Sequence, residues 1–156
     1  MTTAHRFWLG KSEPSLYSID DLARDGRTGW EGVRNYTARN FLRDDLKLGD
    51  RLLFYHSSCP ETGVAGIAEV CREAYPDPTA FDPTHPYFDE KSKPETPTWF
   101  RVDVSFVEKF PRVVTLETLK TTPGLEAMLV VRKGQRLSVM PVTPEEFDIV
   151  VALGRR

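Results

Sequence analysis

The sequence predicts an α+β domain, with short strands and short helices around a partly closed sheet, and three stretches carry that prediction. Trp99 to Phe110 alternates, with Phe100, Val102, Val104 and Phe106 on one side and Arg101, Asp103 and Ser105 on the other, the period of a half-buried strand. Arg51 to His56 and Val64 to Cys71 are rich in strand-forming residues, are separated by a turn at Glu61 to Gly63, and read as a hairpin. Thr143-Pro144-Glu145-Glu146 is a helix start: the threonine caps, the proline needs no amide partner in the first turn, and Glu146 stands three residues beyond the cap. A chain of 156 residues suits one domain better than two.

Taken in order, residues 1–5 form a tail and Phe7-Trp8-Leu9 opens the first strand. Ser18, followed three residues later by Asp21, caps a short helix that ends near Gly26. Asn35 caps a second helix, in which Arg39 and Arg43 share a face at i,i+4 while Leu42 turns inward. Gly66, inside the second hairpin strand, marks a bulge or the close approach of another backbone. Ala74 to Pro97 is rich in proline, which denies ladder hydrogen bonds, yet Tyr75, Phe81, Tyr87 and Phe88 make it an ordered excursion packed on the domain. Thr115 to Lys120 is helical or looped, Met128 to Val131 is apolar, Gly134 turns the chain, and Leu137 to Val142 is a strand. The closing helix buries Phe147, Val150 and Val151, which gives a single domain over 6–153 and a tail at 154–156.

Composition narrows the functional classes. The formal charge is -2, so a uniformly basic surface for holding long duplexes is absent and any nucleic-acid contact must use a local patch. Two clusters qualify: Arg39 and Arg43, with Arg34 and Lys47 nearby, and Arg132, Lys133 and Arg136; these supply the candidate phosphate contacts. Cys59 and Cys71 fit free thiols in a reducing compartment, and no apolar run reaches the length of a membrane span.

The richest stretch chemically is Trp30-Glu-Gly-Val-Arg-Asn-Tyr-Thr-Ala-Arg-Asn40. It gathers aromatic rings, guanidiniums, amides and a glycine, the materials for stacking a planar polar ligand and reading its edge. Trp30 is either a core residue or a platform whose exposed face the flanking Gly29 and Gly32 permit; Trp99 either completes an aromatic pocket or caps the core edge. Asn35, Ser57 and Ser58 supply donors and acceptors for a base edge. Catalytic readings are thin. His5, His56 and His85 lack metal-ligand spacing, even though Asp82 and His85 stand three apart, and His56 beside Ser57 on a strand would point to the opposite face. No catalytic residue, metal site or cofactor is expected.

Five stretches also carry a family resemblance: Phe7-Trp-Leu-Gly-Lys-Ser-Glu-Pro14, Trp30 through Leu42, Phe54-Tyr-His-Ser-Ser58, Gly66-Ile-Ala-Glu-Val70 and Arg136-Leu-Ser-Val-Met-Pro141. In these the chain resembles the EVE-domain proteins of the PUA-like superfamily, close in kind to the thymocyte nuclear protein family and its bacterial relatives, over about 6–153. The resemblance implies a PUA-like, partly closed β-barrel with peripheral short helices, and a pocket related to those of modified-base readers. It makes Trp30 the aromatic platform, Val33, Arg34 and Asn35 the adjacent edge, and Tyr55, His56 and Ser57 the lining of a neighbouring strand end. Lys11 and Ser12 reach the rim, with Trp99 and Ser138 as further pocket positions.

The function expected is therefore non-catalytic recognition of a modified base, a modified cytosine in DNA or RNA. The alternatives are an enzyme acting on a small nucleotide or modified base and a protein-interaction domain without base binding. The chain leaves no room for a fused effector, so cleavage would need a separate protein such as a nuclease. Monomer is the default state; the compartment expected is cytoplasmic for a bacterial chain and nuclear for a eukaryotic one.

Overall fold

In this computed structural model, residues 5–156 are described. The first strand, β1 (Phe7–Ser12), leads to α1 (Ile19–Asp25), β2 (Arg27–Gly29) and α2 (Tyr36–Asn40), which runs on into a π turn at Phe41–Asp45. After these come β3 (Arg51–His56), β4 (Gly63–Pro76), β5 (Phe100–Thr115), α3 (Leu116–Thr121), β6 (Val139–Val142) and α4 (Pro144–Gly154). Of the tail expected at 1–5, only His5 falls within the described residues. Its imidazole stands 4.0 Å from the Asp50 carboxylate. At the other end α4 includes Gly154, and Arg155 pairs with Glu108 at 2.8 Å.

Local chemistry sets the helix ends. Ser18 accepts from the Asp21 amide and the Asp21 carboxylate accepts from the Ser18 amide; Thr143 and Glu146 reciprocate in the same way at α4. Asn35 accepts from the Ala38 amide at 3.0 Å. These bonds satisfy amides that a first helical turn leaves without partners.

Hydrogen bonding orders the six strands β2-β5-β4-β3-β1-β6. β1 and β3 are parallel, with Lys11 opposite Tyr55 and Ser12 opposite His56, and β3, β4 and β5 form an antiparallel meander. At Gly66 the β4–β5 register shifts, and a side chain there would meet the Glu108 carbonyl, so bulge and close approach coincide.

The sheet is open, which corrects the partly closed β-barrel expected above. Closure requires the edge strands to pair, and here the edges are β2, of three residues, and β6, of four, which lie at opposite ends of the order. Pro141 also removes a donor from β6. The apolar surface is covered by other means. Trp8, Leu52 and Phe54 pack with Leu22 of α1, Leu42 of the π turn and Trp30; the alternate residues Leu9, Leu53 and Tyr55 pack with Leu119 of α3 and Phe147 and Val150 of α4. With a helical layer on each face, the sheet buries both sides without curling into a ring. Among the described residues no helix is long and apolar enough to cross a membrane.

Asp50 fixes the start of the parallel pair. Its buried carboxylate accepts from the Arg6 amide, the Trp8 indole and the Lys47 amide, each at 3.0 Å. Those bonds clamp the turn before β3 to the beginning of β1 and so set the register that brings the other ends of the two strands level.

Candidate functional site

The carboxyl ends of β1 and β3 gather six of the residues singled out in the sequence. Lys11 and Ser12 lie level with Tyr55 and His56. The Ser57 amide donates to the Ser12 carbonyl at 3.0 Å, and the Lys11 amide to the Ser138 carbonyl at 2.8 Å. Among the described residues, β1 and β3 are the only parallel neighbours in the sheet order, so here two strands bring their carboxyl ends to the same edge. Strand alternation then divides the group between two faces.

On one face Lys11 and Tyr55 line an open recess of about 500 Å³ with Lys120, Arg132, Lys133 and Gln135. The Lys11 ammonium stands 5.9 Å from the centre of the Tyr55 ring. Burial lowers the pKa of Lys11 from its ordinary value, the mark of a charge taken partly out of water without an anion to offset it. Among the described residues, no carboxylate lies within ion-pair distance of Lys11, Lys120, Arg132, Lys133 or Arg136, while Arg6, Arg24, Arg34, Arg43, Arg51, Arg101, Lys109 and Arg155 each have at least one. Arg27, Arg39, Lys47, Arg72, Lys91, Lys93, Arg112 and Arg156 likewise have no ion-pair carboxylate among the described residues, so what sets the recess apart is that Lys11, Lys120, Arg132 and Lys133 line one concave site together. Sequence reading found Arg132 and Lys133 but missed Lys120, because nothing local shows that α3 lays its last turn beside β1.

On the other face Ser12 and His56 serve the fold. The Ser12 hydroxyl donates to the Tyr17 carbonyl at 2.6 Å, and His56 Nε2 accepts from the Ile19 amide at 3.1 Å. Burial pushes the His56 pKa down, the Asp20 carboxylate opposes that shift, and Lys109 adds to it. Trp30 is 7% exposed: its ring packs over Gly10 and meets Phe54 edge-on at 5.4 Å. An open aromatic pocket around Trp30 is not what the structure holds. Gly32, at φ 79°, turns the chain just after the buried indole, and the recess has a single aromatic wall among its lining residues, Tyr55.

Arg34, Asn35 and Trp99 belong to a third group. The Arg34 guanidinium donates to Asp77 at 3.1 Å and to the Tyr87 carbonyl at 2.7 Å, and lies 5.3 Å from the Trp99 ring. It thereby pins the proline-rich excursion against the 30–35 segment. Val33 is buried, Asn35 is occupied as the α2 cap, and the Trp99 indole donates to Asp89 at 2.7 Å. Among the candidate phosphate contacts, Arg43 is held by both oxygens of Asp44, and Arg39 donates to the Thr98 carbonyl at 2.6 Å.

Asp82, three residues from His85, accepts from the Thr84 amide and hydroxyl in a local turn. Cys59 and Cys71 are free thiols. Among the described residues there is no cluster of three or more His, Cys, Asp or Glu side chains that would hold a metal ion.

An open mixed sheet with a basic recess at the carboxyl ends of its parallel strands is the class of binding domain that these observations define. The EVE domain family model matches residues 6–153, so the chain belongs to the EVE domain family. It is 44% identical to human thymocyte nuclear protein 1, over 94% of this chain and 72% of that protein. A crystal structure of a Pseudomonas syringae protein superposes with a TM-score of 0.92 at 52% identity, covering 94% of this chain and 98% of the other. The crystal structure of human THYN1 protein in complex with 5-methylcytosine containing DNA superposes with a TM-score of 0.89 at 43% identity, covering 97% and 98%.

Proposed function

We propose that this chain recognises a modified base, a modified cytosine, in DNA or RNA without altering it. The observation that carries this reading is the group of cations around the recess at the ends of β1 and β3, left without carboxylate partners in a chain of net charge -2. Uncompensated charge on a half-buried lysine is unfavourable for the isolated protein, and a phosphate offsets it. The relationship to a human protein solved with 5-methylcytosine DNA supports the same ligand class.

In this reading the recess anchors the phosphate flanking the target base through Lys11, Lys120, Arg132 and Lys133. The polar ends of β1 and β3, with the Ser57 and Ser138 hydroxyls, supply the donors and acceptors that read the base edge. Trp30 supports that end of the sheet from the opposite face, through Gly10. In duplex DNA the base would leave the stack to be read, a cost that a single strand avoids.

The test is equilibrium binding to matched DNA and RNA oligonucleotides carrying cytosine, 5-methylcytosine, 5-hydroxymethylcytosine or N6-methyladenine at one salt concentration, with the oligonucleotides assayed afterwards for chemical change. Selective binding of intact modified cytosine is expected. Equal affinity for every base, or turnover of any, would remove this reading.

A further inference from the structure

Tyr36, the first residue of α2, is 62% exposed, yet its ring is held in place. It stacks on Trp99 with ring centres 5.1 Å apart and planes 28° from parallel. Trp99 is itself only 6% exposed and is fixed by its indole bond to Asp89 and by the Arg34 guanidinium. Arg39 lies 5.1 Å from the centre of the Tyr36 ring, held by the Thr98 carbonyl and the Asn40 side chain. Most of an aromatic side chain thus stands in water at the head of a fixed stack, so the entropy of ordering it has been met before any ligand arrives.

We propose that Tyr36 is a stacking platform for an unpaired nucleobase, a second base of the strand whose target is read at the ends of β1 and β3. This rests on the nucleic-acid reading above. Three features select a base. A base has a π face that extends the Trp99–Tyr36 stack, whatever its identity. The Arg39 guanidinium over the Tyr36 ring has no carboxylate within ion-pair distance among the described residues, and so suits the adjoining phosphate. The distance is also short enough: Trp30 packs over Gly10, the neighbour of Lys11, and the six residues from Trp30 to Tyr36 span at most about 20 Å when fully extended. Trp30 and the recess lie on opposite faces of the sheet, so a strand joining the two places would pass around the ends of β1 and β3.

The experiment titrates the full chain with single-stranded DNA carrying one 5-methylcytosine, and with the same sequence as RNA, comparing wild type, Tyr36→Phe and Tyr36→Ala after circular dichroism has confirmed each fold. Tyr36→Ala is expected to weaken binding by about 5- to 150-fold and Tyr36→Phe to bind as wild type. Abasic substitution along the oligonucleotide should then find one position, away from the methylcytosine, whose loss weakens wild type and has no effect on Tyr36→Ala. Affinity for 5-methyldeoxycytidine monophosphate should be the same in all three proteins. Unchanged oligonucleotide affinity in Tyr36→Ala, or an abasic penalty that persists in it, would overturn this inference and leave the recess reading standing. A wild type that binds no oligonucleotide would overturn both.

Discussion

Trp30 shows how one residue type can serve two ends. Its neighbours in sequence suit a ligand platform, but packing over Gly10 and against Phe54 makes it a core side chain. Trp30→Ala should therefore lower unfolding free energy by about 3–5 kcal/mol, measured by urea denaturation, before any effect on binding is interpretable. A variant as stable as wild type would mean that the ring is not a core member. His56 gives a second prediction at this scale. Burial is the main cause of its depressed pKa, so folding favours the neutral imidazole. The resulting stability is complete above the unfolded value of about 6.5 and is lost as pH falls toward the folded value. Protonation at Nε2 would also cost the bond from the Ile19 amide. Between pH 7 and pH 5 the stability of wild type should fall more steeply than that of His56→Gln; parallel slopes would contradict this. Residue roles set by chain neighbours were readable from sequence, as the Ser18, Asn35 and Thr143 caps show. Whether Trp30 faced water was not, because the answer lies in Gly10 and Phe54, remote in sequence.

At the scale of elements, the excursion between β4 and β5 is ordered by one buried carboxylate. Burial alone would raise the Asp77 pKa, but hydrogen bonds from Thr79, the Gly32 amide and Arg34 outweigh it and hold the group below its ordinary value. The stability this gives is present above the unfolded value of about 3.9 and is lost as pH falls through the lower, folded value. Arg34→Ala strips the carboxylate of its cation in a site where Asp77 has no exposure, a change expected to cost about 3–5 kcal/mol. Arg43→Ala, whose pair with Asp44 lies at the surface, should cost at most about 1 kcal/mol. Thermal melting of the two variants separates the cases, and equal melting temperatures would count against the clamp. The sequence made this segment ordered through its aromatics, but it does not reveal which charge holds it. Strand positions were likewise legible from alternation and turns, whereas closure was not. Closure depends on whether the first and last strands of the sheet meet, and that is decided by the helical layers covering each face.

At the scale of the whole molecule, the distribution of charge matters more than its sum. A net charge of -2 makes long-range attraction to a polyanion weak, while Lys11, Lys120, Arg132 and Lys133, none paired with a carboxylate among the described residues, concentrate positive charge around one recess. If these groups contact phosphates, each displaces condensed counterions, and log affinity should fall with log salt by about 0.7 per contact on a single strand. Lys120→Ala and Arg132→Ala should each make that slope shallower by about this amount, with the preference among cytosine modifications kept, because phosphate contacts position the strand and do not identify the base. Arg43→Ala is the internal comparison, since its guanidinium is already taken by Asp44, and its slope should match wild type. A slope unchanged by either recess substitution would place the strand elsewhere on the surface. A change in base preference with an unchanged slope would turn the recess from an anchor for phosphate into the reader of the base.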